Sequence, residues 1–197
     1  MHEKCYISGT RIYLREVRLS DVSEQYAAWM NDPDVNEFLE TRFKPQTVES
    51  ITAYVRQMNM DPNHIFMAMM TVANGAHVGN IKIGPVNWFH RSADLSLFLG
   101  AKNYWGKGFG TEAIRLAADF AFNSLNLHKL NAGIYEGNQG SIRAFEKAGF
   151  VKEGCRFGQR FFKGRYVDEV VMGLRNPKDL GNESERSMKR NQCYEKT

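Results

Sequence analysis

Residues 104–113 read Tyr-Trp-Gly-Lys-Gly-Phe-Gly-Thr-Glu-Ala and join a predicted strand to a predicted helix. Glycines at alternate positions let the main chain approach a ligand closely and turn its N–H groups in one direction. Those N–H groups and the positive end of the following helix form an anion site, to which Lys107 adds a charge. Taken alone, the stretch is equally compatible with a diphosphate-binding loop and with a loop that only turns a corner.

Spacing excludes the two better-known phosphate loops. A Rossmann fingerprint requires G-x-G-x-x-G, but the third glycine of this stretch, Gly110, comes one residue early. A P-loop requires G-x-x-x-x-G-K-[ST], but Gly108 rather than Ser or Thr follows Lys107. The loop therefore belongs to neither of these nucleotide-binding classes.

The patterns on either side of the loop predict one mixed sheet. Apolar alternation, caps and turn signals predict strands at 11–15, 65–72, 77–83, 93–99, 129–135 and 167–174, a hairpin at 160–166, and helices at 20–30, 47–58, 111–125 and 141–148. Gly84-Pro85 is expected to end the third strand. An antiparallel meander followed by strand–helix–strand–helix–strand indicates an α/β (α+β) domain with about four helices.

The composition is that of an ordinary globular protein. The 197 residues are 43% apolar and 24% charged, which excludes a disordered, collagen-like or disulfide-dense chain. The longest nearly apolar run, residues 65–73, is far shorter than the roughly 18–20 residues of a membrane span. No apolar segment follows the N-terminus, as it would in a signal peptide. We therefore expect a cytoplasmic protein with no membrane partner, one domain over 1–175 and a flexible polar tail over 176–197.

Charge and cysteine content restrict the ligand class. The net charge of +4 suits an anionic small ligand but is too weak to predict nucleic acid as a partner. Cys5, Cys155 and Cys193 lie far apart and form no zinc-binding pattern with each other or with histidines. We expect reduced thiols and no metal.

Three motifs connect the glycine loop to a family. The stretch 105–113, the segment Asn-Leu-His-Lys-Leu at 126–130 and the segment Asn-Gln-Gly-Ser-Ile-Arg-Ala-Phe-Glu-Lys-Ala-Gly-Phe at 138–150 resemble the GCN5-related N-acetyltransferase (GNAT) superfamily. The similarity is greatest to the branch with ribosomal-protein alanine and serine N-acetyltransferases and bacterial polyamine acetyltransferases. Weaker similarity at 14–21 and 31–35 extends the coverage to about residues 11–175.

The resemblance implies acetyl-CoA as cosubstrate and assigns residues to it. The strands at 93–99 and 129–135 would splay apart, and the pantetheine arm would lie in the gap. A main-chain N–H near Phe98 or Leu99 would stabilise the tetrahedral oxyanion, and Asn138 and Ser141 would contact the pantetheine arm or the thiolate leaving group. The diphosphate would be held by Trp105, Gly106, Lys107, Gly108, Phe109, Gly110 and Thr111.

The chain departs from the family pattern at the general acid. Many relatives carry a tyrosine where this chain has Phe145, and that tyrosine protonates the departing CoA thiolate. Phenylalanine cannot donate a proton. Ser141, a water or Tyr135 would replace it, or the thiolate would leave unassisted, which a thiol pKa of about 8.5 permits.

The acceptor amine needs a proton acceptor because only the neutral amine attacks a thioester. This branch often has Glu at the start of the strand before the glycine loop, where this chain has Asp94, acting through a water. The alternative is that Asp94 is a strand-end carboxylate paired with Arg91. His90 is the second candidate base. No His or carboxylate adjoins Cys155 in sequence, which disfavours an acyl-enzyme on its thiol.

The leading hypothesis is acetyl transfer to a primary amine by direct attack in a ternary complex. The acceptor stays open among a protein N-terminus, an amino sugar and a small amine. Glu37, Glu40 and Arg42 lie in the region that shapes the acceptor pocket in relatives. The alternative is a non-catalytic acyl-CoA-binding or regulatory module, because Phe145 replaces the acid. The resemblance also allows a homodimer.

Overall fold

The computed structural model describes residues 6–179, which form one mixed sheet with helices on both faces. The strands are β1 (Ile7–Ser8), β2 (Ile12–Glu16), β3 (Ile65–Thr71), β4 (His77–Asn87), β5 (Ser92–Leu99), β6 (Lys129–Tyr135), β7 (Val151–Phe162) and β8 (Arg165–Arg175). Their order across the sheet is β1-β2-β3-β4-β5-β6-β8-β7. Only β5 and β6 pair in parallel, so the predicted mixed sheet is confirmed.

Five α-helices complete the domain, and side-chain caps begin four of them. They are α1 (Glu24–Asn31), α2 (Pro33–Asn36), α3 (Val48–Met60), α4 (Phe109–Asn123) and α5 (Gln139–Lys147). The cap side chains accept hydrogen bonds from main-chain N–H groups in the first turns of α1, α2, α3 and α5, and they are those of Ser23, Asp32, Thr47 and Asn138. Such caps satisfy donors that have no partner within the helix.

Each face of the sheet has its own core. On one face, α4 contributes the buried Ala113, Ala117 and Ala121, whose small side chains let the helix pack closely against the strands. On the other face, α1 and α3 bring Tyr26 and Val55 against β3. This three-layer arrangement leaves the C-terminal ends of β5 and β6 accessible between the layers.

β5 and β6 separate partway along their length, as the sequence predicts. They pair only from Ser92 to Asp94 and from Lys129 to Asn131. Beyond that point β5 stays paired with β4 as far as Leu99, and β6 stays paired with β8 as far as Tyr135. The facing edges of the two strands therefore present main-chain groups to an open gap.

Three predicted element boundaries differ from the structure by more than two residues. β4 does not end at Gly84-Pro85 but continues to Asn87, because a register shift between Ile83 and Val86 absorbs the irregular dipeptide. The first helix begins at Glu24, because Leu19–Asp21 form a separate 3-10 turn held by the side chain of Asp21. β7 extends back to Val151, well before the predicted hairpin, over residues that are mostly exposed and lack an apolar alternation.

Residues 176–179, at the start of the predicted tail, pack on the domain. The side chain of Asn176 is buried and donates to the carbonyl of Leu127 at 3.0 Å. The carboxylate of Asp179 lies 2.7 Å from His128 Nδ1 and accepts from Arg91 at 3.1 Å. The rest of the predicted tail, 180–197, lies outside the described residues. Within 6–179, no helix is both long and apolar enough to cross a bilayer. The cytoplasmic location stays a prediction.

Candidate active site

The glycine loop turns through two residues whose backbone conformation requires glycine. Gly106 has φ +70° and Gly108 has φ +81°, in the left-handed region. Gly108 is the N-cap of α4, so the helix begins at Phe109, two residues earlier than predicted. Within the part of the chain that the structure describes, the main-chain N–H groups of residues 106–108 make no turn or loop hydrogen bond, and those of residues 109–111 begin α4, where the first N–H groups have no partner within the helix. They form a set of donors at the positive end of a helix, which suits a diphosphate.

Arg11, just before β2, holds this loop in place. Its guanidinium donates to the carbonyls of Lys107 at 2.6 Å and Gly108 at 3.2 Å, and it pairs with Glu112 at 2.7 Å. Burial would raise the pKa of the Glu112 carboxyl, but hydrogen bonds from the Arg11 main chain and side chain outweigh this and lower the pKa. Sequence reasoning missed Arg11, because nothing local connects residues about a hundred positions apart.

A cavity of about 560 Å³ runs from the glycine loop to the gap between β5 and β6. Lys107 is the one predicted cofactor-binding residue that does not line this cavity; its side chain is exposed. Arg143 and Lys147, four residues apart on one side of α5, add two cations that the sequence analysis did not single out. The predicted residues that do line it are Phe98, Leu99, Trp105, Gly106, Gly108, Phe109, Gly110, Thr111, Asn138 and Ser141.

The donors of this cavity fit coenzyme A. The free amides and the two cations suit a diphosphate, and the unpaired strand edges suit the amides of a pantetheine arm. Along an antiparallel strand, the N–H groups of alternate residues point to the same neighbouring strand. The Gly100 N–H donates to the Val78 carbonyl on β4. The N–H of Phe98 therefore also points to β4, and that of Leu99 points to the gap. The Leu99 carbonyl, on the same edge, accepts from Trp105 Nε1 at 2.7 Å. Leu99 is therefore the better placed of the two predicted oxyanion donors.

A second cavity, of about 490 Å³, meets the first at the gap; we call it the acceptor cavity. Leu97, Phe98, Asn138 and Ser141 line both cavities. An acyl group carried into the gap from the glycine-loop side would thus face the acceptor cavity. The arrangement can bring a thioester carbonyl and a nucleophile together while keeping their binding sites separate.

Ser141, a predicted proton donor to the CoA thiolate, lies at this junction and lines both cavities. Its main-chain N–H caps α5 by donating to Asn138 Oδ1 at 3.0 Å, while its hydroxyl makes no hydrogen bond within residues 6–179. Phe145 is buried and packs edge-on against Phe150. The Tyr135 hydroxyl accepts from Arg42 and donates to Glu40 Oε1 at 2.9 Å, so its proton is already engaged.

Asp94 lies on the same face of β5 as Ser96 and Phe98, which line the acceptor cavity. It does not line either cavity itself, and a strand places it roughly 7 Å before Ser96. Desolvation raises the pKa of its carboxyl above the ordinary value, and Glu169 adds to this, whereas Arg156 and Asn131 oppose it. A raised pKa makes the carboxylate a stronger base. Arg91, its expected partner under the alternative interpretation, pairs with Asp179 instead.

His90 and Cys155 lie away from the junction. His90 is exposed in the turn between β4 and β5, at the end of β5 opposite the gap. The Cys155 thiol lies on β7, 3.5 Å from Asp168 Oδ2. Desolvation raises the pKa of the thiol most, and the Asp168 carboxylate raises it further. A raised thiol pKa disfavours the thiolate that an acyl-enzyme requires.

A charge network around one buried carboxylate reaches the acceptor cavity, which Glu40 and Arg160 line. Glu169 on β8 is fully buried, and its carboxylate pairs with Arg156 at 2.8 Å and with Arg160. Arg160 also donates to Glu40 at 3.0 Å, which attaches the segment before α3 to the hairpin of β7 and β8. Sequence analysis placed Glu40 near the acceptor but did not predict Glu169, whose burial depends on strand register.

Comparisons with known proteins agree with this geometry. The family described as "Acetyltransferase (GNAT) domain" matches residues 11–151. The chain is 32% identical over 182 residues to "Probable N-acetyltransferase YjcK" of Bacillus subtilis, covering 88% of this chain and 98% of the relative. It is 35% identical over 108 residues to spermidine N(1)-acetyltransferase of Vibrio cholerae, covering 55% of this chain and 61% of the relative.

The fold agrees as well. The crystal structure of spermidine N-acetyltransferase from Vibrio cholerae in complex with CoA and spermine matches with a TM-score of 0.76 at 24% identity, covering 86% of this chain and 98% of that one. The ribosomal-protein branch and the homodimer stay predictions. The chain belongs to the GNAT family of N-acetyltransferases, acyltransferases whose acetyl donor is acetyl-CoA.

Proposed function

We propose that the chain transfers the acetyl group of acetyl-CoA to a primary amine by direct attack in a ternary complex. The observation that carries the proposal is the meeting of two cavities at the gap between β5 and β6, with Ser141 and Leu97 common to both. Two substrates can then be bound at once, each from its own side. Holding both in reacting geometry removes the entropic cost of a chance encounter.

Asp94, which lies before the junction on β5, and two residues at the junction divide the proton and charge handling among them. Asp94, acting through water, accepts the proton that the amine loses when its nitrogen forms the new C–N bond. The N–H of Leu99 stabilises the negative charge that develops on the carbonyl oxygen. As the C–S bond breaks, Ser141 passes its hydroxyl proton to the sulfur and takes up a proton from water, which yields the amide and free CoA with the serine hydroxyl restored.

An acyl-enzyme route through Cys155 is not proposed. Its thiol lies outside both cavities, and the carboxylate of Asp168 beside it disfavours the thiolate. A ping-pong route would also require the acyl group to leave the gap in which the oxyanion donor lies. Direct transfer needs no such movement.

The polyamine named for the Vibrio cholerae relatives is not carried over to this chain. The charged residues that line the acceptor cavity are Lys82, Arg160 and one acid, Glu40. A polyamine is a multiple cation and would favour a predominantly acidic lining. The acceptor is a primary amine of another kind.

Two measurements test the proposal. Isothermal titration with CoA should show saturable binding, and no heat at millimolar CoA would remove its basis. Initial rates with acetyl-CoA and an active amine should give intersecting double-reciprocal lines. Parallel lines together with an acetylated protein mass would contradict direct attack. CoA binding without thiol release for any amine in a broad panel would favour the non-catalytic alternative.

A further inference from the structure

We propose that Lys82 binds an anionic group of the acceptor, so that the acceptor is an amine that also carries a carboxylate or a phosphate. The inference deepens the proposed function and rests on it. It concerns the wall of the acceptor cavity formed by β4, β5 and α3.

Lys82 is the charged residue of the acceptor cavity that makes no ion pair within residues 6–179. Arg160 pairs with Glu169 and Glu40, and Glu40 is held by Arg160 and by the Tyr135 hydroxyl. Within residues 6–179, the ammonium group of Lys82 has no carboxylate within 4.0 Å. It donates only to the neutral hydroxyl of Tyr54 at 3.0 Å. The Lys82 side chain is half-buried, and an ammonium whose one hydrogen bond goes to a neutral partner is well suited to an anion from outside the chain.

Two hydroxyl groups beside Lys82 can donate to the same anion. Tyr54 accepts from Lys82 and makes no donated hydrogen bond within the described residues, so its own hydrogen is available. Ser96 lies directly opposite Lys82 in the β4–β5 register, on the same face, and its hydroxyl likewise makes no hydrogen bond within residues 6–179. Directly opposed side chains lie about 5 Å apart at Cβ. All three donors line the acceptor cavity.

The nearest carboxylate offers a rival role for Lys82. Asp94 lies two residues before Ser96 on the same face, and the charge of Lys82 lowers its pKa, opposing the effect of desolvation. The other charges toward this face are Arg156, Glu169 and Arg160, which pair with one another. If Lys82 served only to adjust the Asp94 carboxyl, its removal would shift the pH profile without changing acceptor preference.

The geometry also limits acceptor length. The Leu99 N–H that faces the gap is three residues from Ser96, about 10 Å along the strand. An amine at the junction and an anionic group at Lys82 therefore belong to one molecule of roughly dipeptide or hexosamine-phosphate size. A peptide α-amine with a nearby carboxylate and a phosphorylated amino sugar share this chemistry.

Matched amine pairs test the inference on the full chain saturated with CoA. Glycylglycine is compared with glycylglycinamide, and glucosamine 6-phosphate with glucosamine, by isothermal titration and by thiol release with acetyl-CoA. The variants are Lys82→Met and, as control, Lys152→Met, an exposed lysine on β7 outside both cavities. CoA affinity is measured first. If the wild type does not bind CoA, that result refutes the proposed function rather than this inference.

We expect the wild type and Lys152→Met to bind the anionic member of at least one pair about ten- to a hundredfold more tightly. Lys82→Met should lose that preference and keep its CoA affinity. The dipeptide pair reports on a carboxylate and the sugar pair on a phosphate. Equal affinity within both pairs, including no binding of any member, overturns the inference. A preference that survives Lys82→Met, with only the pH profile shifted, also overturns it.

Discussion

Replacing Arg11 by methionine should weaken CoA binding although Arg11 does not line the cofactor cavity. The guanidinium connects β2 to the carbonyls of Lys107 and Gly108 and to the carboxylate of Glu112. Methionine keeps an unbranched side chain of similar reach over Phe109, which the guanidinium covers at 4.7 Å from the ring centroid. The variant therefore removes the polar tether and retains apolar contact.

The size of the effect follows from exposure and bond type. The Arg11 side chain is 44% exposed, so its ion pair with Glu112 contributes under about 1 kcal/mol. The hydrogen bonds to the two carbonyls contribute about 0.5–1.5 kcal/mol each, and water replaces part of this in the variant. An untethered loop must be ordered when CoA binds, which moves the cost to the binding step. We expect CoA affinity to fall by about 1–2 kcal/mol, or roughly 5- to 30-fold.

Isothermal titration of wild type, Arg11→Met and Arg56→Met with CoA measures this change. Arg56 is exposed on α3 and makes no ion pair within residues 6–179, so its variant controls for loss of one positive charge. If Arg11→Met binds CoA within twofold of wild type, Arg11 does not order the loop for CoA. If Arg56→Met loses as much CoA affinity as Arg11→Met, the loss of one positive charge explains the effect and the contacts of Arg11 do not.

Three further predictions concern the junction and the loop. Because the pKa of the Asp94 carboxyl is raised, its basic form is lost as the pH falls through a value above the ordinary 3.8. The pH profile of kcat/KM should therefore fall on its acidic side. If the same fall persists in Asp94→Asn, Asp94 is not the general base. Ser141→Ala should lower kcat about tenfold to a hundredfold with CoA affinity unchanged, and a larger loss in Tyr135→Phe would transfer the acid role to Tyr135. Gly108→Ala, at φ +81°, should cost about 1–2 kcal/mol in unfolding free energy and weaken CoA binding. Gly154, which has no positive φ and no neighbour within 4 Å of an added Cβ, is the control, and Gly154→Ala should change neither quantity. Equal CoA affinity in both variants would contradict binding of the diphosphate by the glycine loop.

Elements with a local cause were the ones that sequence predicted well. Thr47 begins α3 as its cap, Asn74-Gly75 turns between β3 and β4, and β6 spans residues 129–135 as predicted. Each depends on neighbours within a few residues. β7 was largely missed because most of its side chains are exposed, so no apolar alternation marks it; its pairing with β8 makes it a strand.

The candidate site divides in the same way. Residues 105–111, Asn138 and Ser141 are contiguous or share one helix start, so local sequence indicates them together. Arg11, Glu169 and Lys82 owe their places to partners far along the chain. No short-range pattern distinguishes them from surface charges.

Sequence alone predicted the glycine loop and the helix that follows it, because a φ above zero and an apolar helix face are properties of adjacent residues. The resemblance of three motifs to the GNAT superfamily, rather than the loop alone, predicted acetyl-CoA as the ligand. Tertiary structure alone decided that the N–H of Leu99 rather than that of Phe98 faces the gap, that His90 lies at the opposite end of β5, and that Lys82 lines the acceptor cavity without an ion pair within residues 6–179. The physical reason is that hydrogen-bond parity, the divergence of two strands and the pairing of charges are set by register between segments that meet only when the sheet forms.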